Sequence, residues 1–536
     1  MTNSIEEVLN NDLIFVIGSN TTENHPVIGT LMKQAKKRGA KLIVADPRKI
    51  DLAKSADVYL QIKPGTNIAL LNGMANEIIK NDLYDKEYVK EKTEGFEGLV
   101  EHLKDFSPGK VAQACGVDAQ DIKKAARMYA EAKNAGIYYA MGITQHVSGS
   151  LAVMALSNLA LLCGNIGKEN VGLNPLRGQN NVQGACDMGG LPTDFPGYQK
   201  VYHQEVRKKF EKAWGVDLPP KAGRTLQEII HGGADGSIKF LYIIGENPMI
   251  TDPNLRNVEK ALRNVEFLVV QDIFLTETAE VADVVLPAAS FAEKDGTFTN
   301  TERRVQRVRK VIEPIGESKP DWVIIMELMN RLGMEKTYHH PSEIMEEIAS
   351  LTPQYAGITY DKIEEKGVQW PCPTKDHPGT KFLYKDKFSR EGGKALFATV
   401  DNISSAEIPT SKYPFILTTG RVLYQYHSMT MTGKIEALNN KSSHSYIEMN
   451  TATVHRLGLN DGDRVKVISR RGSIITNVKA TDNIEEDTLF MPFHFSDAKV
   501  NYLTGSAVDP LSQIPELKVT AVRIEKAKEK NQVIGA

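Results

Sequence analysis

The sequence predicts an α/β protein with two doubly wound lobes and a C-terminal β-barrel. Three observations carry that prediction. In the first third, short apolar runs ending in Gly, Asn or Asp alternate with helical patterns. The same alternation returns between residues 240 and 287. After Pro409 the texture changes to short strands separated by turn residues.

Taken in order, Ser4 and Glu7 have capping-box spacing and open a short helix. Residues 13–17, LIFVI, read as a buried parallel strand that stops at Gly18-Ser19-Asn20. A helix is expected over 26–38, with Pro26 in its first turn and Gly39 as its stop. Strands over 41–45 and 58–62 end at Asp46-Pro47-Arg48 and Lys63-Pro64-Gly65. Helices are expected over 67–80 and 119–133, and a strand over 137–140 that ends at Met141-Gly142. The most apolar stretch, 151–163, is too short to span a bilayer and reads as a buried helix. In the second lobe, strands over 240–244, 267–270 and 281–286 run into Gly245-Glu246-Asn247, Gln271-Asp272 and Pro287, with a helix over 254–263. Residues 343–351 look helical and 371–379 form a Pro-rich loop. The last domain is expected to have strands over 413–418, 464–469, 473–480, 488–492 and 519–524, and residues 525–536 read as a solvated tail. The domain borders are placed at 1–179, 180–385 and 386–536.

Charge and cysteine content exclude several classes. Over 536 residues, 65 basic and 67 acidic side chains nearly cancel, which argues against a nucleic-acid coat, a polybasic membrane binder or a disordered chain. The start, MTNSIEEVLN, has neither a basic nor an apolar leader region, so a cytoplasmic chain without a membrane span is expected. Cys115, Cys163, Cys186 and Cys372 are too few for a disulfide framework and too scattered for a thiolate cluster.

Ligands collect at the carboxyl ends of parallel strands, so the residues there are the first site candidates. They are Gly18, Asn20, Asp46, Arg48, Gly65, Asn67, Gly142, Gln145, Gly245, Glu246, Asn247, Gln271 and Asp272. Glycines admit close backbone approach, and Asp46 and Asp272 can accept hydrogen bonds from ribose or a guanine-type edge. Any one of them reads equally well as a turn residue; six such ends in two lobes favour one or two large dinucleotides. No G-x-G-x-x-G occurs, so the ordinary nicotinamide fingerprint is absent. A second concentration, GLNPLRGQNNVQGACDMGG over 172–190, is rich in amides and glycines around a single cation, Arg177, whose planar fork matches a carboxylate. The alternative is a surface loop with a solvated arginine. Cys186 has no neighbouring thiol and reads as a packed residue. In the last domain Thr419, Gly420, Arg421, His427, His494 and Asn501 add polar reach, although a lone histidine is more often a satisfied core residue.

LRGQNNVQGACDMGG, together with VADPRKI, AMGITQH, IIGENP, VQDIF, ADVVLPAASFAEKDGTFTNTERRVQ, LTTGR and NYLT, resembles the molybdopterin-dependent oxidoreductases of the DMSO reductase type. Within them it is most similar to formate dehydrogenase catalytic (alpha) subunits, over essentially the whole chain. The resemblance implies a molybdenum or tungsten centre bound by two molybdopterin guanine dinucleotides, one per α/β lobe, with a β-barrel closing over both. It assigns Gly18, Asn20, Asp46, Arg48, Gly65 and Asn67 to one dinucleotide. Gly142, Gln145, Gly245, Glu246, Asn247, Gln271 and Asp272 go mainly to the other. Thr419, Gly420, Arg421, His427 and Asn501 would cap the pterins, Arg177 would face formate, and Gln179 lies beside it. Implied partners are formate and CO2, and iron–sulfur, ferredoxin, NAD(P)-reducing or hydrogenase subunits that take the electrons.

The sequence departs from that pattern at its start. The family's four cysteines for a [4Fe–4S] cluster, the selenocysteine or cysteine on the metal and the histidine after it do not appear. The resemblance therefore implies the portion downstream of the active-site selenocysteine, as if an in-frame UGA codon had been read as a stop. The chain alone is expected to be inactive. A genuinely split subunit, a non-catalytic subunit of the same fold, and another molybdopterin oxidoreductase such as a nitrate reductase are the competing readings.

Overall fold

The computed structural model describes residues 1–527. The chain divides into two compact units. The larger holds Thr2–Leu176, Met249–Arg256 and the chain from Tyr384 on; the smaller holds Met1, Arg177–Pro248 and Asn257–Leu383.

The larger unit begins with Leu13–Ile17 (β1), Lys41–Ala45 (β2), Val58–Leu60 (β3), Ala135–Tyr139 (β4) and Gly172–Pro175 (β5). They form one parallel sheet in the order β3-β2-β1-β4-β5. Every residue of β1 and β4 is buried, which accounts for their unbroken apolar runs. Helices Pro26–Lys37 (α1), Asn67–Lys80 (α2), Ala119–Glu131 (α3) and Gly149–Leu162 (α4) belong to the same unit. Pro26 begins α1, and the Asp118 side chain caps α3 by accepting from the Gln120 amide. The capping box at Ser4 and Glu7 is formed, on a 3₁₀ turn over Ile5–Asn10. The strand order reverses between β1 and β4, which makes their carboxyl ends the switch point of the sheet.

In the smaller unit a short helix, Val182–Asp187 (α5), precedes Leu226–Asp235 (α6) and Leu255–Asn264 (α7), the last lying across the border between the two units. Phe240–Ile244 (β6), Phe267–Asp272 (β7) and Val284–Pro287 (β8) make a parallel sheet of only three strands, β8-β7-β6. The third strand begins later than expected. Ala279–Val281 is a 3₁₀ turn, and the Asp283 carboxylate is spent on the Leu268 amide at 2.7 Å before pairing starts. The sequence also hid an antiparallel sheet of Gly296–Thr299 (β9), Arg304–Val308 (β10) and Val368–Gln369 (β11). Arg303 in its turn is fully buried, with its guanidinium donating to backbone carbonyls that include Met1 and Thr380.

The barrel closes from Phe415–Gly420 (β12), Tyr446–Met449 (β13), Arg464–Ile468 (β14), Ser473–Ala480 (β15), Thr488–Pro492 (β16) and Thr520–Lys526 (β17), in the order β12-β16-β13-β15-β14-β17. β15 alternates buried and exposed residues, and Leu417, Ile447, Val465, Val478, Leu489 and Val522 fill the barrel core. Of the expected tail, Glu525 and Lys526 belong to β17, and residues 528–536 lie outside the described residues. Among the described residues no helix is long and apolar enough to cross a membrane.

Candidate active site and cofactor cradle

The switch point of the larger unit is built from glycine. Gly18 sits at φ +57°, and a Cβ there would lie 2.7 Å from the Gly142 carbonyl carbon. The Gly142 amide donates to the Gly18 carbonyl at 3.0 Å. The two strand ends touch backbone to backbone, which only glycine permits. Asn67, at the start of α2, donates from Nδ2 to the Gly142 carbonyl at 3.3 Å, so α2 closes on the same point. Gly65 precedes it at φ +87°, and Asn20 stands at the N-terminus of the turn Thr21–Asn24. Asp46 accepts the Arg48 amide at 2.9 Å, and burial pushes its carboxyl up to about 6 against the pull of Arg48. Arg48 itself is committed within the protein: its guanidinium pairs with Glu448 at 3.0 Å and stacks 3.6 Å over the Phe490 ring.

The barrel brings cations to the same unit. The Gln145 carbonyl accepts the Leu517 and Lys518 amides, and Thr419 Oγ1 donates to the Leu517 carbonyl at 2.8 Å. These bonds fix Lys518, whose Nζ donates to the Thr419 carbonyl at 2.6 Å. Burial, with Arg421 and Arg48 nearby, pushes Lys518 down to about 8, and Asp46 pulls the other way. Burial also lowers Arg421, and burial plus Arg421 pushes His427 down to about 4 and His494 to about 3. His427 holds a left-handed φ of +47°, edge-on to Phe493. His146 is also pushed down to about 4, by burial first and Lys518 second. Among the described residues, both ring nitrogens of His494 and Nδ1 of His146 are buried without a hydrogen-bond partner. Arg421 depresses Lys518, His427 and His494, and buried imidazole nitrogens stand without partners beside it; a polyanion such as a pyrophosphate would relieve both, so the residues fit a dinucleotide. Gly420 lies against Phe490, where a Cβ would come within 2.6 Å of the ring. Asn501 donates from Nδ2 to the Ile250 and Thr251 carbonyls at 3.0 Å each, and its Oδ1 accepts from the Thr504 hydroxyl.

In the smaller unit, Arg177 follows β5 by two residues, is exposed, and donates from Nε to Gln183 Oε1 at 3.2 Å. Its amide donates to Thr301 Oγ1 at 3.1 Å. Gln179 lies half-buried two residues on. At the end of β6, Gly245 is exposed at φ +63° with open space where a Cβ would point, and Glu246 is exposed beside it. Asp272, at the end of β7, accepts the Ile273 amide at 2.6 Å, and burial raises its carboxyl. Asn247 and Gln271 are instead spent inside the fold, Asn247 on Glu277 and Thr278, Gln271 on Tyr242 and Asp321. Lys518, His146, Gln183 and Asp187 were not singled out from the sequence. The available signal was a lysine opening an apolar strand, and an i, i+4 polar pair inside the amide-rich segment.

Burial raises the Cys115 thiol to about 11 and lifts Cys163 and Cys186 as well, consistent with packed residues rather than ligands. Among the described residues no group of three or more His, Cys, Asp or Glu could hold a metal ion. Comparison with known proteins identifies the family. The molybdopterin oxidoreductase family matches residues 1–331, and the molydopterin dinucleotide binding domain matches residues 415–521. The chain belongs to the molybdopterin oxidoreductases. It is 52% identical over 528 residues to the F420-dependent formate dehydrogenase subunit alpha of Methanocaldococcus jannaschii, covering 98% of this chain and 78% of that protein. It is 43% identical over 530 residues to formate dehydrogenase H of Escherichia coli, covering 98% and 74%. The fold is that of the acetylene hydratase from Pelobacter acetylenicus, with a TM-score of 0.79, 23% identity, and 98% of this chain and 81% of that one covered. As a molybdopterin oxidoreductase the chain places its dinucleotide-binding match on the barrel that carries Arg421, His427 and His494.

Proposed function

We propose that this chain is the cofactor-holding part of a cytoplasmic formate dehydrogenase catalytic subunit. The reaction is the reversible conversion of formate to CO2, two electrons and a proton. The observation that carries the reading is Arg177, an exposed guanidinium held at Nε by Gln183, within the amide- and glycine-rich segment 172–190. When bound, a molybdenum or tungsten centre on two molybdopterin guanine dinucleotides supplies the acceptor for the two electrons. Arg177 would receive the formate carboxylate by charge-assisted hydrogen bonds and orient its C–H bond. Gly18, Asn20, Gly65 and Asn67 would line one dinucleotide, with Asp46 accepting from its base. Gly142, Gln145, Gly245, Glu246 and Asp272 would serve the other, and Lys518 and Arg421 would balance the phosphates. Domain borders near 179 and 385 belong to the same reading.

The reading includes an N-terminal portion ahead of Met1 that carries the [4Fe–4S] cysteines and the selenocysteine or cysteine on the metal. Reading the DNA ahead of the Met1 codon tests this; an in-frame UGA behind a Cys-rich coding segment supports it, and no such segment removes it. Electrons would pass to an iron–sulfur, NAD(P)-reducing or hydrogenase subunit. Arg177→Ala in the complete subunit should raise the formate KM and lower turnover, and unchanged kinetics would remove the assignment.

A further inference from the structure

Asp187 is a fully buried carboxylate, and among the described residues no lysine or arginine is hydrogen-bonded to it. It is met by donors only. Trp370 Nε1 and the Tyr355 hydroxyl reach Oδ2 at 2.7 and 2.6 Å, and the Tyr198 hydroxyl and Gln183 Nε2 each reach Oδ1 at 2.8 Å. Gln183 Nε2 also donates to the Tyr198 oxygen at 2.9 Å. A carboxylate accepts and never donates, so the amide of Gln183 has one permitted orientation: NH2 toward Asp187, carbonyl away from it. That carbonyl oxygen is the one that accepts Arg177 Nε at 3.2 Å. Gln183 and Asp187 stand four residues apart on α5, one above the other on the same face, which is what brings amide and carboxylate together.

We infer that Gln183 and Asp187 are positioning residues for Arg177, with the buried carboxylate setting the amide that fixes the guanidinium. The inference rests on Arg177 being the carboxylate-binding residue. Asp187 polarises the Gln183 amide, so its carbonyl is a better acceptor for Arg177 than an unsupported glutamine would be. Asp187→Asn offers Gln183 an acceptor or a donor equally, and the amide loses its preferred orientation. Gln183→Leu removes the acceptor outright.

In the complete enzyme, Gln183→Leu and Asp187→Asn should each raise the formate KM about tenfold, the effect of one lost hydrogen bond to a charged group, with a smaller change in kcat. Because Asp187 acts through Gln183, the double variant should be no worse than Gln183→Leu alone. Multiplying effects would show that Asp187 serves packing only and would overturn the relay. If Arg177→Ala leaves formate kinetics unchanged, the function reading falls; if it raises KM while Gln183→Leu does not, only the positioning inference falls. A second readout needs no turnover and no variant of the buried cluster. In this chain with 15N-labelled arginine, the Arg177 Nε–H resonance, identified by its loss in Arg177→Lys, should exchange with water more slowly than a solvated arginine. Exchange at the solvated rate in the unaltered protein overturns the proposal.

Discussion

Lys518 is the residue whose chemistry the surroundings change most usefully. Its ammonium is anchored at the Thr419 carbonyl and crowded by Arg421, so a bound phosphate would gain an oriented charge without paying to order it. Lys518→Met keeps the stem and deletes the charge. Titrating guanosine diphosphate into the two proteins by calorimetry should show about tenfold weaker binding in the variant, as one charge-assisted contact is worth roughly 1.5–3 kcal/mol. Equal affinities would remove Lys518 from the cradle. The same residue predicts a pH dependence. With its pKa held down near 8, Lys518 loses its proton as pH rises through that value, and a bound anion restores it. Affinity for the diphosphate should therefore fall between about pH 7 and 9, with proton uptake on binding in that window, and Lys518→Met should flatten the profile.

At the scale of elements, the switch point depends on two glycines that no other residue can replace. Gly18→Ala meets both a left-handed φ and a Gly142 backbone 2.7 Å away, whereas Gly245→Ala meets a left-handed φ and open space. The second should cost about 1–2 kcal/mol and the first clearly more, because a backbone clash is added to the conformational cost. Thermal unfolding that ranks the two variants the other way would contradict this account of the sheet ends. The contrast also explains what the sequence could disclose. β1, β4 and β15 were legible because their apolar periodicity matches their burial, unbroken in the first two and alternating in the third. β13 was not, since it is four residues long and its Glu448 reads as a loop residue until Arg48 arrives from 400 residues away. β9 and β10 were hidden because their turn carries Arg303, and nothing local announces that its guanidinium will be buried among carbonyls. The site shows the same limit. Glycines at strand ends were readable, but Asn247, Gln271 and Asn501 spend their amides on partners that only the tertiary fold supplies.

Over the whole molecule, buried histidines and an exposed sheet face set the conditions under which the chain is stable. His146, His427 and His494 have folded-state values near 4, 4 and 3 against an ordinary 6.5. Below pH 6.5 the unfolded chain takes up protons that the folded chain refuses, so these groups make stability fall as pH drops from 6.5 toward 4. Asp46 works in the opposite sense: its folded value near 6 exceeds the ordinary 3.8, so the stability it contributes is complete below 3.8 and lost as pH rises through 6. Burial raises Asp272, Glu246 and Glu516 as well, and they act in the same sense as Asp46. The histidines' share is therefore read by difference: His494→Phe, which removes the most depressed of them, should make urea resistance fall less between pH 6.5 and 4.5 than it does in the unaltered chain.

The three-stranded sheet of the smaller unit adds a second liability. A parallel sheet is normally covered on both faces, yet Phe240 and Phe267, paired across β6 and β7 with rings 5.9 Å apart, are 57% and 44% exposed, and Ile244 and Val284 on the same face are exposed too. Such a face drives association when nothing covers it. The chain expressed alone should bind an apolar dye and sediment as concentration-dependent oligomers. Phe240→Lys with Phe267→Lys should suppress both while leaving the far-ultraviolet dichroism unchanged, because both side chains point away from the buried face that Leu268 and Val270 form. A chain that sediments as a monomer at all concentrations would show that this face is tolerated bare. If the chain is expressed together with the polypeptide proposed to precede Met1, loss of dye binding would identify that portion as the cover, and persistent dye binding would point to a separate subunit.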